Sequence, residues 1–384
     1  MVAEHCRGEP PAPPGRVESI AATMAEEMRT DGLLLALMGC ARLLAAQPAE
    51  TEPVKEIAGQ VRGVIRGGAL SRGGDAVYTW GSDVYRWELE GAKAAEHGAR
   101  ERLRIGLASG EGGCVADVNG DGKDDLVLEE RPASGSGLGK LIWLEGPTWK
   151  THEVDSGVEM SDCMETTLLG KPGILMVQRH VQVRFYPYPF AEGGHTGYQE
   201  VYSFYTASRE AGLVRADVDG DGREDILCGN YWIRSPDAYS LPWHLFAIEL
   251  YNQAEESANL RLALLRTNGL ELVVAQKAMA NAKVAVFRVE AGGDPKALWS
   301  EKLLTAPGGF HFAAGLAVSG RRIFVGEHNG AVSRLLEYVM SDDGSSIRLE
   351  KISSSPPVVL LLAARVGVVV VKERGVGMVT GAKE

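Results

Sequence analysis

The chain has 384 residues, a net charge of −11 and 47 glycines. The acidic balance, with no basic stretch interleaved with aromatics, argues against a nucleic-acid partner. The glycines fit a structure made of many tight turns, and a repeat array would use this length as one domain.

Residues 1–46 read as an N-terminal extension carrying an export signal. Leu33–Ala46 (LLLALMGCARLLAA) is apolar apart from Arg42 and falls short of the roughly 20 residues needed to span a bilayer. The polar stretch Gln47–Glu56 that follows completes the layout of a signal peptide cleaved near Ala46. The acidic, Pro-rich residues before Met28 are unlike a signal n-region, so Met24 or Met28 competes with Met1 as the start. A buried N-terminal helix is the competing reading of Leu33–Ala46. Leu37–Cys40 loosely matches a lipobox, which would place a lipid anchor on Cys40. Residues 47–59 read as a linker, and residues 60–384 as the folded domain.

From there, short apolar runs recur. They start near Ala76 (AVYTW), Leu126 (LVLEE), Ile174 (ILMVQ), Ile226 (ILCGN), Leu272 (LVVAQ), Ile323 (IFVGE) and Val366 (VGVVVV), at intervals of 43–52 residues. Several are followed by a second run with a bulky finish, such as KLIWLE, VQVRFYPY and AKVAVFRVE. A period of this length, holding about four short strands, is the size of one propeller blade. A single blade cannot bury both faces, so blades stack around an axis. The expected fold is all-β, a β-propeller of seven four-stranded blades. The last segment, from Pro356, has room for about three strands, and Val61–Gly68 is expected to supply the fourth and close the ring.

Two of these apolar runs are preceded by acidic loops, DVNGDGKDD at Asp117–Asp125 and DVDGDGRED at Asp217–Asp225. Oxygen-bearing side chains stand at positions 1, 3, 5 and 9: Asp117, Asn119, Asp121 and Asp125, then Asp217, Asp219, Asp221 and Asp225. That spacing lets a short loop wrap one hard cation, and Ca²⁺ takes six to eight oxygens at about 2.3–2.6 Å. Lys123 and Arg223 would add backbone carbonyls while their side chains stay in water. Gly122 and Gly222 permit the sharp turn. An EF-hand would need Glu at position 12, where Leu128 and Cys228 stand instead. The flanking β-branched runs make these loops between strands, with plain metal-free hairpin turns as the alternative.

The motif DxDGDGxxDL followed by an apolar strand resembles the FG-GAP/VCBS repeat of integrin-α-type propellers and many secreted bacterial proteins. The resemblance covers roughly residues 60–384, with the specific motif at Asp117–Leu126 and Asp217–Ile226. It implies two structural Ca²⁺ sites held by the residues just named. Asn119 stands where the family more often has Asp, lowering the charge of that site. His311–Gly330 has the strand–turn–strand outline but no carboxylates in its turn, and no metal is expected there.

Cys114, Cys163 and Cys228 follow Cys40. Three scattered cysteines are expected to be apolar fillers, neither a disulfide framework nor a zinc site. No N-x-S/T sequon occurs. A bacterial protein that is secreted, periplasmic or at the cell surface fits these features.

No catalytic motif stands out, and no residue is assigned a catalytic role. Phe185, Tyr186, Tyr188, Phe190, Tyr198, Tyr202, Phe204 and Tyr205 cluster around His195. Such rings suit carbohydrate stacking at a propeller mouth, or they are ordinary strand packing. The expected function is a non-catalytic binding module for a glycan or protein ligand. The alternatives are a purely structural cell-surface module and a polysaccharide lyase. The lyase would draw on His180, Arg184, His195, Tyr198, His244, His311 and His328.

Overall fold

The recurring apolar runs become the second strands of seven sheets. In a computed structural model of the protein they coincide with or overlap Ala76–Gly81, Asp125–Glu130, Lys171–Gln178, Asp225–Cys228, Leu270–Ala275, Arg322–His328 and Gly367–Lys372. Each lies between two neighbours in its own sheet and between two neighbouring sheets. Residues such as Val77, Leu126, Leu175 and Ile323 are therefore buried on whichever face they point to. Continuous apolar runs, rather than alternating ones, are what that position requires.

The structure describes residues 49–50, 54–57 and 59–379, apart from 90–99, 133–136, 192, 195, 205–210, 239–240, 250–260, 267–269, 276–282, 290–292, 305–312 and 329–331. The signal peptide and the Cys40 anchor expected within residues 1–46 lie outside the described residues. Among the described residues no helix is long and apolar enough to cross a membrane.

Seven four-stranded antiparallel blades form a ring: blade 1 spans residues 65–105, blade 2 109–158, blade 3 160–203, blade 4 213–247, blade 5 261–303, blade 6 313–354 and blade 7 358–379. In blades 1–6 the four strands follow chain order and neighbours are antiparallel, whereas blade 7 takes three strands from the C-terminal end and its fourth from the N-terminal side of the domain. The first strands of successive blades are neighbours around the ring and line its axis. They enclose an axial cavity bordered by Gly68, Gly113, Asp162, Gly212, Leu316 and Leu361.

Among the described residues, seven apolar clusters hold the ring together, one at each junction between blades. Trp80, Val84, Leu126, Leu128 and Leu144 fill the junction of blades 1 and 2. Ile65, Val77 and Trp87 meet Val369 and Val371 between blades 1 and 7. Each fully buried aliphatic or aromatic side chain contributes about 1.5–3 kcal/mol, so stability is spread over the junctions rather than concentrated in one core.

Closure is achieved differently from the expectation. Ile65–Leu70, which overlaps the Val61–Gly68 segment expected to close the ring, is the axial strand of blade 1. The fourth strand of blade 7 is Lys55–Glu56, with Lys55 opposite Met378 and Glu56 opposite Gly377. Ala49–Glu50 adds a short parallel strand to the outer edge of blade 6. Residues 47–59, read as a linker, thus contain the strand that locks the ring. Pairing the N-terminal end of the domain with its C-terminal blade removes an unpaired edge.

Candidate metal centres

Each acidic loop joins the axial strand of its blade to the second strand. The first runs from Ser109–Ala116 to Asp125–Glu130, and the second from Leu213–Ala216 to Asp225–Cys228. Gly122 and Gly222 have φ of 82° and 85°, the left-handed conformation that makes glycine the fitting residue.

Position 9 is the staple of each loop. Asp125 is fully buried and accepts from the amides of Val118 (2.9 Å) and Gly146 (2.8 Å). Asp225 does the same with Val218 (3.2 Å) and Ser235 (2.7 Å). Burial pushes both carboxyls above the usual carboxylate range, against the opposing pull of those amides. A nearby cation would offset that burial cost.

Position 1 closes the turn. Asp117 Oδ2 accepts from Gly122 N at 3.0 Å, and Asp217 Oδ2 from Gly222 N at 2.9 Å. Asp117 Oδ1 is buried without a hydrogen-bond partner, and so is Asp219 Oδ1 at position 3 of the second loop. An unpaired buried acceptor costs about 1–3 kcal/mol, which a bound cation would remove. In the second loop, oxygens of Asp217, Asp219 and Asp225 lie within 4.8 Å of one another. That is no more than about twice a Ca²⁺–oxygen distance, so the three can share one ion. The residues present fit calcium.

Basic side chains modify the picture. Lys123 and Arg223, expected to point into water, fold back onto Asp121 and Asp221, with Lys123 Nζ 3.0 Å from Asp121 Oδ2. The amide of Lys123 is the main cause holding Asp121 below the usual range. Arg234 donates to both Asp219 and Asp221. Burial would raise Asp219, but the Arg234 contact outweighs it and the carboxyl titrates low. In the first loop Arg72 of blade 1 pairs with Asp117 Oδ2 at 2.9 Å.

The first loop is also bolted to both neighbouring blades. Asp117 N donates to Glu165 of blade 3 at 3.1 Å, and Tyr188 OH reaches the same carboxylate at 3.3 Å. On the other side Tyr78 OH of blade 1 donates to Asp124 at 3.2 Å. In the second loop Arg215 donates to Thr166 of blade 3 (2.7 Å) and to the carbonyls of Glu224 and Asp225. Arg72, Glu165, Arg215 and Arg234 lie outside the loop motif, and no local spacing marks them in the sequence.

Cys114 and Cys163, expected as separate fillers, form a disulfide between the axial strands of blades 2 and 3. Neighbouring axial strands bring equivalent positions together, and the separation of 49 residues is one blade period. Cys228 is buried in the core between blades 3 and 4.

The aromatic run divides mostly into packing. Tyr186, Tyr188 and Phe190 join the core between blades 2 and 3, while Phe185, Tyr202 and Phe204 join that between blades 3 and 4. Tyr198 is exposed, with the Arg184 guanidinium 4.1 Å from its ring centre. His180 sits in a turn of blade 3, His244 on the outermost strand of blade 4 and His328 on blade 6, bonded to Ser333 at 2.8 Å. These three histidines stand on three different blades. His195, Tyr205 and His311 lie outside the described residues.

No family model matches the chain. No curated protein matches it. Among solved structures, it is similar to the β-propeller domain of Cps50 (Swd1) from Myceliophteria thermophila at 14% identity, covering 85% of this chain and 100% of that domain with a TM-score of 0.55. At that identity the likeness concerns the fold alone: this chain is a seven-bladed β-propeller.

Proposed function

We propose that the protein is an exported, calcium-stabilised β-propeller that binds a glycan or protein ligand and performs no chemistry on it. The observation that carries the calcium part is the arrangement of the two loops. In the second loop oxygens of Asp217, Asp219 and Asp225 gather within 4.8 Å of one another, and in each loop a buried oxygen, Asp117 Oδ1 or Asp219 Oδ1, has no hydrogen-bond partner in the protein. Calcium would supply charge neutralisation there, with Asp117, Asn119, Asp121 and Asp125 holding one ion and Asp217, Asp219, Asp221 and Asp225 the other. Carbonyls of Lys123 and Arg223 would complete the two sets.

Export is supported by the Cys114–Cys163 disulfide, since such bonds persist in oxidising compartments.

Metal analysis of the protein, purified without chelator and dialysed into calcium-free buffer, tests the reading. Retained calcium approaching two ions per chain is the expected result. A chain free of calcium, and unable to take it up at millimolar concentration, overturns it. Turnover of a uronate polymer by the calcium-loaded protein would overturn the non-catalytic part.

A further inference from the structure

The two loops look alike in sequence, yet the strand beside each presents the opposite charge. Leu126 pairs with Leu144 in blade 2, and Ile226 with Ile233 in blade 4. Glu145 and Arg234, one residue further on, therefore occupy the same place in their blades. The next residues confirm the match, since Gly146 N and Ser235 N both donate to the position-9 aspartate.

In blade 4 the Arg234 guanidinium spans positions 3 and 5 of the loop. Its Nε donates to Asp219 Oδ2, and its Nη2 to Asp221 Oδ2 at 2.8 Å. In blade 2 the corresponding Glu145 takes a long contact from Asn119 Nδ2 at position 3 (3.4 Å) and a shorter one from His152 Nε2 (2.8 Å). Position 3 and its strand partner together carry no net charge in the second loop (Asp219 with Arg234). In the first they carry one negative charge (Asn119 with Glu145). The carboxylate lost at Asn119 is thus restored from the neighbouring strand, whereas the carboxylate kept at Asp219 is cancelled.

Arg72 does not reverse this difference. It pairs with Asp117 Oδ2, the oxygen already engaged by Gly122 N, and leaves the buried Oδ1 open. Asp219 Oδ1 is open too, so the second loop keeps an acceptor for a cation. What differs is the reach of the resident guanidinium: Arg72 holds one ligand carboxylate and is shared with Glu165 at 3.8 Å, whereas Arg234 bridges two, Asp219 and Asp221, and a divalent ion entering the second loop must displace it or approach against its charge.

We infer that the two loops are unequal calcium sites: the first is the tighter, and the second is held together by Arg234 acting as a built-in cation that weakens calcium binding there. This rests on the calcium reading of both loops. At low calcium Arg234 offsets part of the carboxylate repulsion within the second loop.

Calorimetric calcium titration of the metal-stripped full chain tests the inference, with Arg234→Gln, Arg234→Lys and Glu145→Gln beside the wild type. The wild type should show two classes of site differing at least tenfold. Arg234→Gln should tighten the weaker class at least tenfold and leave the tighter one in place, whereas Arg234→Lys, which keeps the charge, should leave the weaker class weak. Glu145→Gln should weaken the tighter class. Two identical sites in the wild type, or a weaker class that Arg234→Gln does not move, would overturn the inference while leaving calcium binding intact. If neither the wild type nor any variant takes up calcium, the calcium reading itself fails, and the inference with it.

Discussion

Cys114 and Cys163 are joined across the axis-facing strands of blades 2 and 3, with Cα atoms 5.6 Å apart, three residues before Asp117 and two before Glu165. The bond and the Asp117–Glu165 hydrogen bond tie the same pair of strands at adjacent places. Replacing both cysteines with serine should lower stability in denaturant by about 2–4 kcal/mol, the usual effect of opening a loop of this size. The same shift should appear when the wild type is unfolded under reductant. Equal midpoints for oxidised, reduced and double-serine protein would mean the bond adds nothing.

Glu129 provides a test of the core between blades 2 and 3. It is 1% exposed and accepts from Arg131 Nε and Met160 N, each at 3.2 Å. Burial raises its carboxyl above the usual range, with Arg131 only partly opposing. A carboxyl whose pKa is higher folded than unfolded binds more protons in the native state between the two values. Its contribution to stability is therefore fully present below the unfolded pKa, near 4.3, and is lost as pH rises through the folded value. Unfolding midpoints of Glu129→Gln measured across that window should fall less steeply with pH than those of the wild type. Parallel profiles would contradict the assignment.

The closing strand makes a third prediction. Glu56 pairs with Lys372, which is 7% exposed, and Val54 packs against the core between blades 6 and 7. A chain beginning at residue 60 loses the fourth strand of blade 7, strands the Lys372 ammonium and exposes a sheet edge. It should be less stable than one beginning at residue 47 by about 1–3 kcal/mol, and more prone to associate through the bare edge. Thermal melts and light scattering of the two chains give the comparison.

Much of the ring was legible in the sequence because the second strand of every blade is buried on both faces. Runs such as AVYTW and ILMVQ are therefore mostly apolar on both faces, and they repeat at the blade period. The closing strand was not legible: Lys55–Glu56 is two charged, exposed residues held by backbone pairing and by the Glu56–Lys372 ion pair, neither of which leaves an apolar pattern. Val61–Gly68 was the more strand-like candidate, and Ile65 does begin a strand, but that strand belongs to blade 1.

The acidic loops were legible as tight turns between the first and second strands of their blades, with Gly122 and Gly222 at the left-handed positions. Arg72, Glu145, Glu165 and Arg234 were not, because each reaches a loop from another strand or another blade. The cysteine pair carried one usable signal. A separation of one blade period places two residues side by side on neighbouring axial strands.

The most direct test of the whole account is a thermal melt of the protein in millimolar calcium and again in excess chelator, with Asp121→Ala and Asp221→Ala alongside. Calcium bound only to the native state stabilises it by mass action, about 2.7 kcal/mol at one hundred times Kd. The account predicts a clear fall in Tm on chelation. Each variant should show a lower Tm in calcium and a smaller chelator shift, with the larger reduction in Asp121→Ala. A wild-type Tm that chelator leaves unchanged, or a shift unaltered in both variants, would contradict it.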